Sequence, residues 1–234
     1  VGGIHGFHLD GFARERMVTK ARLCVPVPDD VTMTDAACAS ITFGTVQHML
    51  FDNAKLEEGE TVLIQAGGSG IGTAAIRMAK AIGATVITTV GSEEKAEKAR
   101  ALGADHVINY NTERFEGVVR KLTRKRGVDV VFEHTGVDTW QGSLFSLKRG
   151  GRLVTCGSTT GITAEINLMQ LFQQQYRIFG SFGCAIHNLS EGLAKMSEGI
   201  LPVIDTAITL DQIEDGLARL ESRKVFGKIV MTLG

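Results

Sequence analysis

The chain is predicted to be an α/β protein built around a doubly wound parallel sheet, and three observations carry this prediction. From Thr61 onward, short apolar runs alternate with helical patterns over roughly 120 residues, as in successive βαβ units. The first apolar run leads into a glycine-rich turn at residues 67–72, and a helical pattern starts directly after it. Residues 1–45 and 201–234 depart from the alternation. The centre, residues 46–200, is therefore predicted to be a Rossmann domain, and the two flanks are predicted to form a second, smaller substructure.

Apolar periodicity places the elements of the centre in order. The first helix carries apolar residues at helical spacing from Ile71 to Ile82, and Gly83 is expected to end it. The second helix is predicted to be stopped by Gly103, and the third is predicted to be a charged helix. The predicted helices are 93–102, 113–125 and 140–147, and the predicted strands are 61–66, 85–90, 106–110, 128–134, 152–157 and 176–182.

The flanks have a different pattern. Two prolines, Pro26 and Pro28, exclude a helix at the end of the first flank. Residues 34–50 are predicted to be helical around a break at residues 42–45. In the second flank, strands are predicted at 207–210 and 228–232, on either side of a helix from Asp211 to about Ser222, with Asp211 as its N-cap.

Composition argues against several classes of partner. A formal net charge of −1 gives no electrostatic reason to expect nucleic acid or an anionic membrane. The four cysteines are far apart and form no C-x-x-C pair, which favours reduced thiols over a disulfide framework. The most apolar region, residues 62–90, is interrupted by glycines, Arg77 and Lys80, and no signal-peptide pattern is visible. A cytoplasmic protein that acts on a small molecule is expected.

A series of motifs resembles one known superfamily. In chain order they are DGFARERMVTKARLCVPVPDD, ITFGTVQHML, GETVLIQAGGSGIG, GSEEKAEKARALGADHVINY, GVDVVFEHTG, GGRLVTCGSTTG and VFGKIVM. They resemble medium-chain dehydrogenases/reductases, in particular the quinone oxidoreductase and enoyl reductase branch with its zinc-binding dehydrogenase relatives. The resemblance implies that 1–45 and 201–234 belong to a GroES-like, β-rich catalytic domain, most of which precedes this stretch in family members. It also implies a nicotinamide-dependent oxidoreductase.

The glycine-rich turn is the predicted pyrophosphate site. The spacing G-x-G-x-x-G falls on Gly67, Ser69 and Gly72, so a serine occupies the middle glycine position. Small residues let the backbone approach a pyrophosphate, and free N–H groups of the first helical turn bind it. Gly67, Ser69, Gly70, Ile71 and Gly72 are therefore predicted to bind the cofactor. A tight strand–helix turn without a ligand is the alternative.

The end of the second strand favours NADPH over NADH. An acidic residue there usually binds the ribose 2′-hydroxyl of NAD, but residues 88–92 contain none. Ser92 and Lys95 offer a hydroxyl and a cation for a 2′-phosphate, and Tyr110 matches a family position near the adenosine phosphate. The alternative for Lys95 is a solvated lysine at the start of a charged helix.

The resemblance implies a nicotinamide site at the ends of the later strands. It points to the backbone at Thr135 and Gly136 and to a lysine on the last strand, Lys228. The alternative for Lys228 is an exposed strand lysine without a role in binding. Thr45 is predicted to belong to the site because it interrupts a helical pattern, although a buried capping threonine fits nearly as well. The other predicted residues are Gly157, Ser158, Ser181 and Phe182.

No metal site and no catalytic side chain are predicted. Zinc alcohol dehydrogenases place a metal ligand four residues before the threonine that matches Thr45, and Ile41 stands there. His5 and His8 have no cysteine or glutamate partner nearby. The nearest candidate proton donor is His134, for which fixing a loop through a backbone hydrogen bond is the stronger interpretation.

The resulting prediction is a zinc-independent, NADPH-dependent oxidoreductase that transfers hydride to a quinone or an α,β-unsaturated carbonyl. The alternatives are a zinc-dependent alcohol dehydrogenase whose ligands lie upstream, and a non-catalytic NADPH-binding remnant. Residues 176–182, YRIFGSF, form an apolar strand predicted to lie at the sheet edge. Because an unprotected apolar edge pairs with another copy, a homodimer through this strand is expected.

Overall fold

A computed structural model describes residues 10–233. His5 and His8 lie outside these residues. The strands, in chain order, are β1 (Thr61–Ile64), β2 (Thr85–Val90), β3 (His106–Asn109), β4 (Val128–Glu133), β5 (Leu147–Thr155), β6 (Arg177–Gly180), β7 (Ile204–Ile208) and β8 (Lys228–Met231). The α-helices are α1 (Met33–Ala36), α2 (Gly70–Ala81), α3 (Glu93–Ala101), α4 (Phe115–Leu122), α5 (Val137–Ser146), α6 (Leu168–Gln174), α7 (Ile186–Ser197) and α8 (Ile213–Glu221).

The first six strands form one parallel sheet in the order β3-β2-β1-β4-β5-β6. In the central register, Leu63 of β1 pairs with Ile87 on one side and with Val131 on the other. The chain therefore leaves β1 for one half of the sheet and returns beside it to build the other half. Ligands bind at such a switch point in open α/β sheets. The predicted α/β class and doubly wound parallel sheet are confirmed.

The sheet is covered by helices on both faces. Alternate residues of β1 divide between the two cores: Val62 and Ile64 belong to the larger cluster, and Leu63 belongs to the smaller one. This is the period of two that a strand imposes on its side chains. Every residue of β4 is buried, because helices cover both faces of a central parallel strand.

The C-terminal strands form a separate parallel pair that reaches back to the glycine-rich turn. Ile204 of β7 pairs with Lys228 of β8. The N–H of Gly227 donates to the carbonyl oxygen of Gly68 at 2.9 Å, and Gly227 also forms a β-bridge with Ser69. The last strand is thereby attached to the start of α2.

The predicted helix break at residues 42–45 is wrong. Thr45 itself is helical, with φ −68° and ψ −42°, and it lies between two π-helical segments, Ala39–Gly44 and Gln47–Asn53. Gly44 serves close packing instead of ending the helix, because a Cβ there would lie 2.7 Å from the sulfur of Cys184. Thr45 is buried, at 7% exposed, as the alternative of a buried capping threonine requires, but it lies within continuous helix and caps no helix end.

Several element boundaries also differ from the prediction. Asp211 is not a helix N-cap: it lies inside a short 3₁₀ turn, Leu210–Gln212, and α8 begins at Ile213. The N–H of Thr209, just before that turn, donates to the side chain of Gln212 at 3.0 Å. Helices α6 and α7 were not predicted. Within residues 10–233, no helix combines the length and the apolar character needed to cross a bilayer.

Candidate dinucleotide site

The glycine-rich turn connects β1 to α2 in the geometry of an anion site. Ser69 is the N-cap of α2, and its hydroxyl accepts a hydrogen bond from the N–H of Gly72 at 2.9 Å. The N–H groups of Gly70 and Ile71 lie in the first helical turn, where no intrahelical acceptor exists. The serine in the middle glycine position therefore has a capping role, and two backbone donors remain for an anion.

A side chain at any of three glycines of this turn would overlap a neighbouring atom. A Cβ at Gly72 would lie 2.4 Å from the carbonyl oxygen of Ala66, and one at Gly67 would lie 2.1 Å from the hydroxyl of Thr88. A Cβ at Gly70 would lie 2.3 Å from Cδ of Lys228. Gly67 and Gly72 thus hold strand and helix close together. Gly70 leaves space for the lysine of the last strand, so Lys228 does reach the turn.

The residues predicted for the adenosine side lie together beyond β2. Ser92 caps α3 by accepting a hydrogen bond from the N–H of Lys95 at 3.3 Å. The Tyr110 side chain lies against Gly91, since a Cβ on that glycine would be 2.5 Å from the tyrosine oxygen. The Lys95 ammonium donates to the carbonyl oxygen of Arg223 at 2.7 Å, and burial lowers the pKa of this lysine.

A cavity of about 540 Å³ lies where β4, β5 and β6 end. Five of the predicted nicotinamide residues line it: Gly136, Gly157, Ser158, Ser181 and Phe182. Thr135 is not among the lining residues but directly precedes Gly136. Thr45 is not among the lining residues. It lies in the helical segments that pack against α7.

His134 connects the cavity to the glycine-rich turn. Its Nε2 lies 2.9 Å from the carbonyl oxygen of Gln65 and 3.5 Å from the hydroxyl of Ser69. A Cβ at Gly157, which lines the cavity, would lie 2.6 Å from the carbonyl oxygen of His134. The cavity and the glycine-rich turn therefore meet at His134. Burial lowers the pKa of His134, which favours the neutral imidazole donating to Gln65. This geometry fits the loop-fixing role.

A buried carboxylate, Glu133, organises the loop after β4. Its side chain is 0% exposed. Oε1 accepts from the N–H groups of Thr135 and Gly136 at 2.7 and 3.2 Å, and Oε2 accepts from the hydroxyl of Ser143 at 2.7 Å. The hydroxyl of Thr139 lies within 3.0 Å of both oxygens. A charged group is buried here because these donors replace its water shell.

The hydrogen-bond chain continues from Glu133 to the glycine-rich turn. The amide of Gln65 donates to the hydroxyl of Ser143 at 2.9 Å and accepts from the hydroxyl of Thr89 at 2.8 Å. That same Thr89 hydroxyl accepts from the N–H of Ala66 at 3.0 Å. Ala66 has φ +49°, which is an uncommon conformation for a residue other than glycine. This hydrogen-bond chain thus joins the loop after β4 to the glycine-rich turn, beneath the surface of the predicted site.

This chain of buried side chains is not among the features predicted from the sequence. The available signal is a polar residue inside an otherwise apolar buried strand: Gln65 ends the TVLI run, and Glu133 ends VDVVF. A buried polar group of this kind requires partners. Its partners come from other strands and helices, so their identity depends on the fold.

Two further groups lie at the cavity. Cys156 lines it, and burial together with the charge of Glu133 raises the pKa of its thiol to about 11. The thiol is therefore protonated at neutral pH and is a poor nucleophile. Trp140 also lines the cavity, and its indole N–H is buried without a hydrogen-bond partner among residues 10–233.

Comparison with known proteins identifies the family. The model of the zinc-binding dehydrogenase family matches residues 70–198, more than half of the chain. The chain belongs to this family. It therefore belongs to the medium-chain dehydrogenase/reductase superfamily, as the motifs predict.

Individual relatives are similar over different shares of their length. A 2-haloacrylate reductase from a Burkholderia species is 38% identical over 164 residues, which cover 69% of this chain and 49% of the relative. A solved NAD-dependent alcohol dehydrogenase superposes with a TM-score of 0.92 at 35% identity, covering 99% of this chain and 68% of that one. A 2-octenoyl-CoA carboxylase reductase, solved with NADP and 2-octenoyl-CoA, gives a TM-score of 0.81 at 28% identity, with 88% and 51% covered. The chain thus spans about half the length of the first of these relatives.

Proposed function

We propose that the protein is an NADPH-dependent oxidoreductase that transfers hydride to the β-carbon of an α,β-unsaturated carbonyl compound or to a quinone, without a catalytic zinc ion. The observation that carries the proposal is the continuity of the site. The glycine-rich turn and the cavity at the ends of β4–β6 meet at His134 and share one buried hydrogen-bond chain. A dinucleotide binds across such a crevice, at the carboxyl ends of the strands of an open α/β sheet.

Each part of the site has a role in binding. The N–H groups of Gly70 and Ile71 donate to the pyrophosphate, and the absence of side chains at Gly67 and Gly72 allows it to approach the backbone. The loop fixed by Glu133 forms one wall of the nicotinamide cavity. When bound, the reduced nicotinamide supplies the hydride. The cavity walls align the acceptor with it.

Binding of NADPH in preference to NADH is expected to depend on Lys95. An ammonium has three N–H donors, and the carbonyl of Arg223 uses one of them. We expect Lys95→Ala to weaken NADPH binding about tenfold and to leave NADH binding unchanged, since a charge-assisted hydrogen bond contributes roughly 1.5 kcal/mol. Fluorescence titration of both nucleotides measures this.

Lys98 provides the matched control for this test. It lies one helical turn further along α3, is exposed, and pairs with Glu94 at 2.6 Å. Lys98→Ala is expected to leave the affinities for both nucleotides within a factor of two. An equal loss of NADPH affinity in both variants would indicate general electrostatic attraction and would contradict the assignment of Lys95.

The proposed acceptor class follows from the relatives and from the resemblance. Two of the relatives are named as reductases of 2-haloacrylate and of 2-octenoyl-CoA, which both contain an alkene conjugated to a carbonyl group. Ile41, which stands at the position of a zinc ligand in alcohol dehydrogenases, supports zinc independence. NADPH oxidation at 340 nm with an enoyl thioester, a 2-haloacrylate and a quinone tests the proposal. It fails if none of the three supports turnover by the full-length protein.

An alcohol dehydrogenase is the second candidate, because the solved NAD-dependent enzyme covers nearly the whole chain. It predicts NAD⁺ reduction by alcohols that is lost on treatment with a chelator. The same assay with alcohols and oxidised nucleotide distinguishes it from the reductase. NADPH binding without turnover of any substrate would favour a non-catalytic remnant.

A homodimer formed through β6 is part of the proposal. This strand ends the sheet order, and the neighbouring helix α6 exposes Leu168, Met169 and Phe172. The N–H of Ser181 points to Thr155 of β5, so by alternation the N–H of Ile178 points away from the sheet.

Ile178→Pro is therefore expected to convert a dimer to a monomer. Proline removes only the outward N–H and keeps an apolar side chain at an edge position that tolerates it. Light scattering after size-exclusion chromatography measures the mass, with Ile178→Val as the control that retains the dimer. A dimeric mass for Ile178→Pro would exclude strand pairing as the interface.

A further inference from the structure

Four side chains of metal-ligand type meet on a surface that the proposed function does not use. His48 and Asp52 lie four residues apart on the segment Gln47–Asn53, and His187 and Glu191 lie four residues apart at the start of α7. Residues four apart in a helix share one face. The two helical segments are in contact, so these two faces oppose each other.

Three of the four come within reach of one ion. The ligand atoms of Asp52, His187 and Glu191 all lie within 4.8 Å of one another, and Nε2 of His187 lies 3.4 Å from Oδ2 of Asp52. In a tetrahedral zinc site with bonds of about 2.1 Å, neighbouring ligand atoms are about 3.4 Å apart. The Asp52–His187 pair already has this separation. A change of rotamer would be needed for Glu191 to close the remaining distance, and it is sterically open because this residue is exposed on α7.

The central ligand is held in place by its neighbours. Asn188, which is 0% exposed, donates to Oδ2 of Asp52 at 2.7 Å, and Nδ1 of His48 lies 3.1 Å from the same atom. Metal-binding carboxylates characteristically have such outer hydrogen bonds.

The charge and the ligand atoms of these three side chains determine which kind of ion they favour. Two carboxylates and a neutral imidazole present a charge of −2, which matches a divalent cation. A mixed nitrogen and oxygen set suits Zn²⁺ better than Mg²⁺ or Ca²⁺, which prefer oxygen ligands alone. His187 is 63% exposed on its side chain, so a cation reaches the set directly from solvent.

We propose that Asp52, His187 and Glu191 bind a Zn²⁺ ion, with solvent at the fourth position and with His48 and Asn188 orienting Asp52. The ion would join the segment Gln47–Asn53 to α7. Asn53, the next residue after Asp52, donates to the hydroxyl of Ser181 at 3.2 Å, and Ser181 lines the cavity. The zinc site would therefore stabilise one wall of that cavity.

The test is zinc binding by the purified, tag-free protein, which is independent of turnover and of nucleotide. With ZnCl₂ at a hundred times the dissociation constant, we expect one ion per chain by calorimetry and a rise of about 5 °C or more in the melting midpoint. His187→Gln and Glu191→Gln are expected to weaken binding at least tenfold and to remove the rise. Both residues are exposed, so neither change is expected to affect folding.

Two exposed residues elsewhere provide the controls. His106→Gln and Glu97→Gln are expected to bind zinc as the wild type does, although they remove the same ligand types. Zinc affinity that is unchanged in the His187 and Glu191 variants, or no saturable binding by the wild type, would overturn the site. An equal thermal shift with MgCl₂ would overturn the assignment to zinc.

Discussion

Replacing Gly72 with alanine is expected to abolish nucleotide binding and to lower the free energy of unfolding by about 3 kcal/mol. The new Cβ would lie 2.4 Å from the carbonyl oxygen of Ala66 and 2.9 Å from Cα of Gly67. Both atoms belong to the backbone of the turn, so no side-chain movement relieves the overlap. The turn must move away from α2, and the donors of Gly70 and Ile71 then no longer face the same anion. Urea unfolding and NADPH titration measure the two effects.

Gly117 offers the matched control, because it is also a helical glycine. A Cβ there meets no atom within 4 Å, and its φ is negative. Gly117→Ala is expected to stabilise the protein by about 0.5–1 kcal/mol, since alanine is the better helix former, and to leave nucleotide affinity unchanged. NADPH affinity within a factor of three of wild type in Gly72→Ala would show that the turn does not bind the pyrophosphate.

Replacing Glu133 with leucine is expected to have the second largest effect, a loss of about 3–5 kcal/mol in the free energy of unfolding. The substitution removes the acceptor for two backbone N–H groups and two hydroxyls in a fully buried position. The hydroxyls of Thr139 and Ser143 rotate toward other acceptors, but the N–H groups of Thr135 and Gly136 cannot. The loop beside the cavity is expected to loosen, so nicotinamide binding falls as well.

Two variants separate this role from a general effect of removing charge. Glu133→Gln keeps one acceptor oxygen and is expected to lose about half as much stability as Glu133→Leu. Glu97→Leu removes an exposed carboxylate on α3 and is expected to change stability by less than about 0.5 kcal/mol. Equal unfolding free energies for Glu133→Leu and the wild type would mean that the buried carboxylate does not hold the loop.

The sheet could be predicted because each strand has its own signal. Apolar runs, glycine stops and helical spacing are local, and they gave the class and the order of βαβ units. The prediction of a helix break at residues 42–45 was wrong for a physical reason: a glycine can serve close packing as well as end a helix. Only the position of Cys184, which is distant in sequence, decides between the two at Gly44. Helix α7 has apolar residues at Leu189, Leu193 and Met196, so its signal was present.

The candidate site was predictable where a motif is contiguous. The stretch 61–72 contains a strand, the N-cap Ser69 and the start of the following helix. The approach of Lys228 to the turn followed only from resemblance, because nothing local joins β8 to α2. The Glu133 chain and the Asp52–His187–Glu191 group were not predicted, since their members lie far apart in sequence and meet only after separate elements have packed. Their use in cofactor or metal binding remains a proposal.

The most direct test of the central claim is a titration of the purified protein with NADPH and NADH, followed by nicotinamide fluorescence. The account predicts one NADPH per chain, with affinity at least tenfold higher than for NADH and lost in Gly72→Ala. It also predicts that Gly117→Ala binds as the wild type does. Saturable binding of neither nucleotide, or equal affinity of wild type and Gly72→Ala for NADPH, would contradict it.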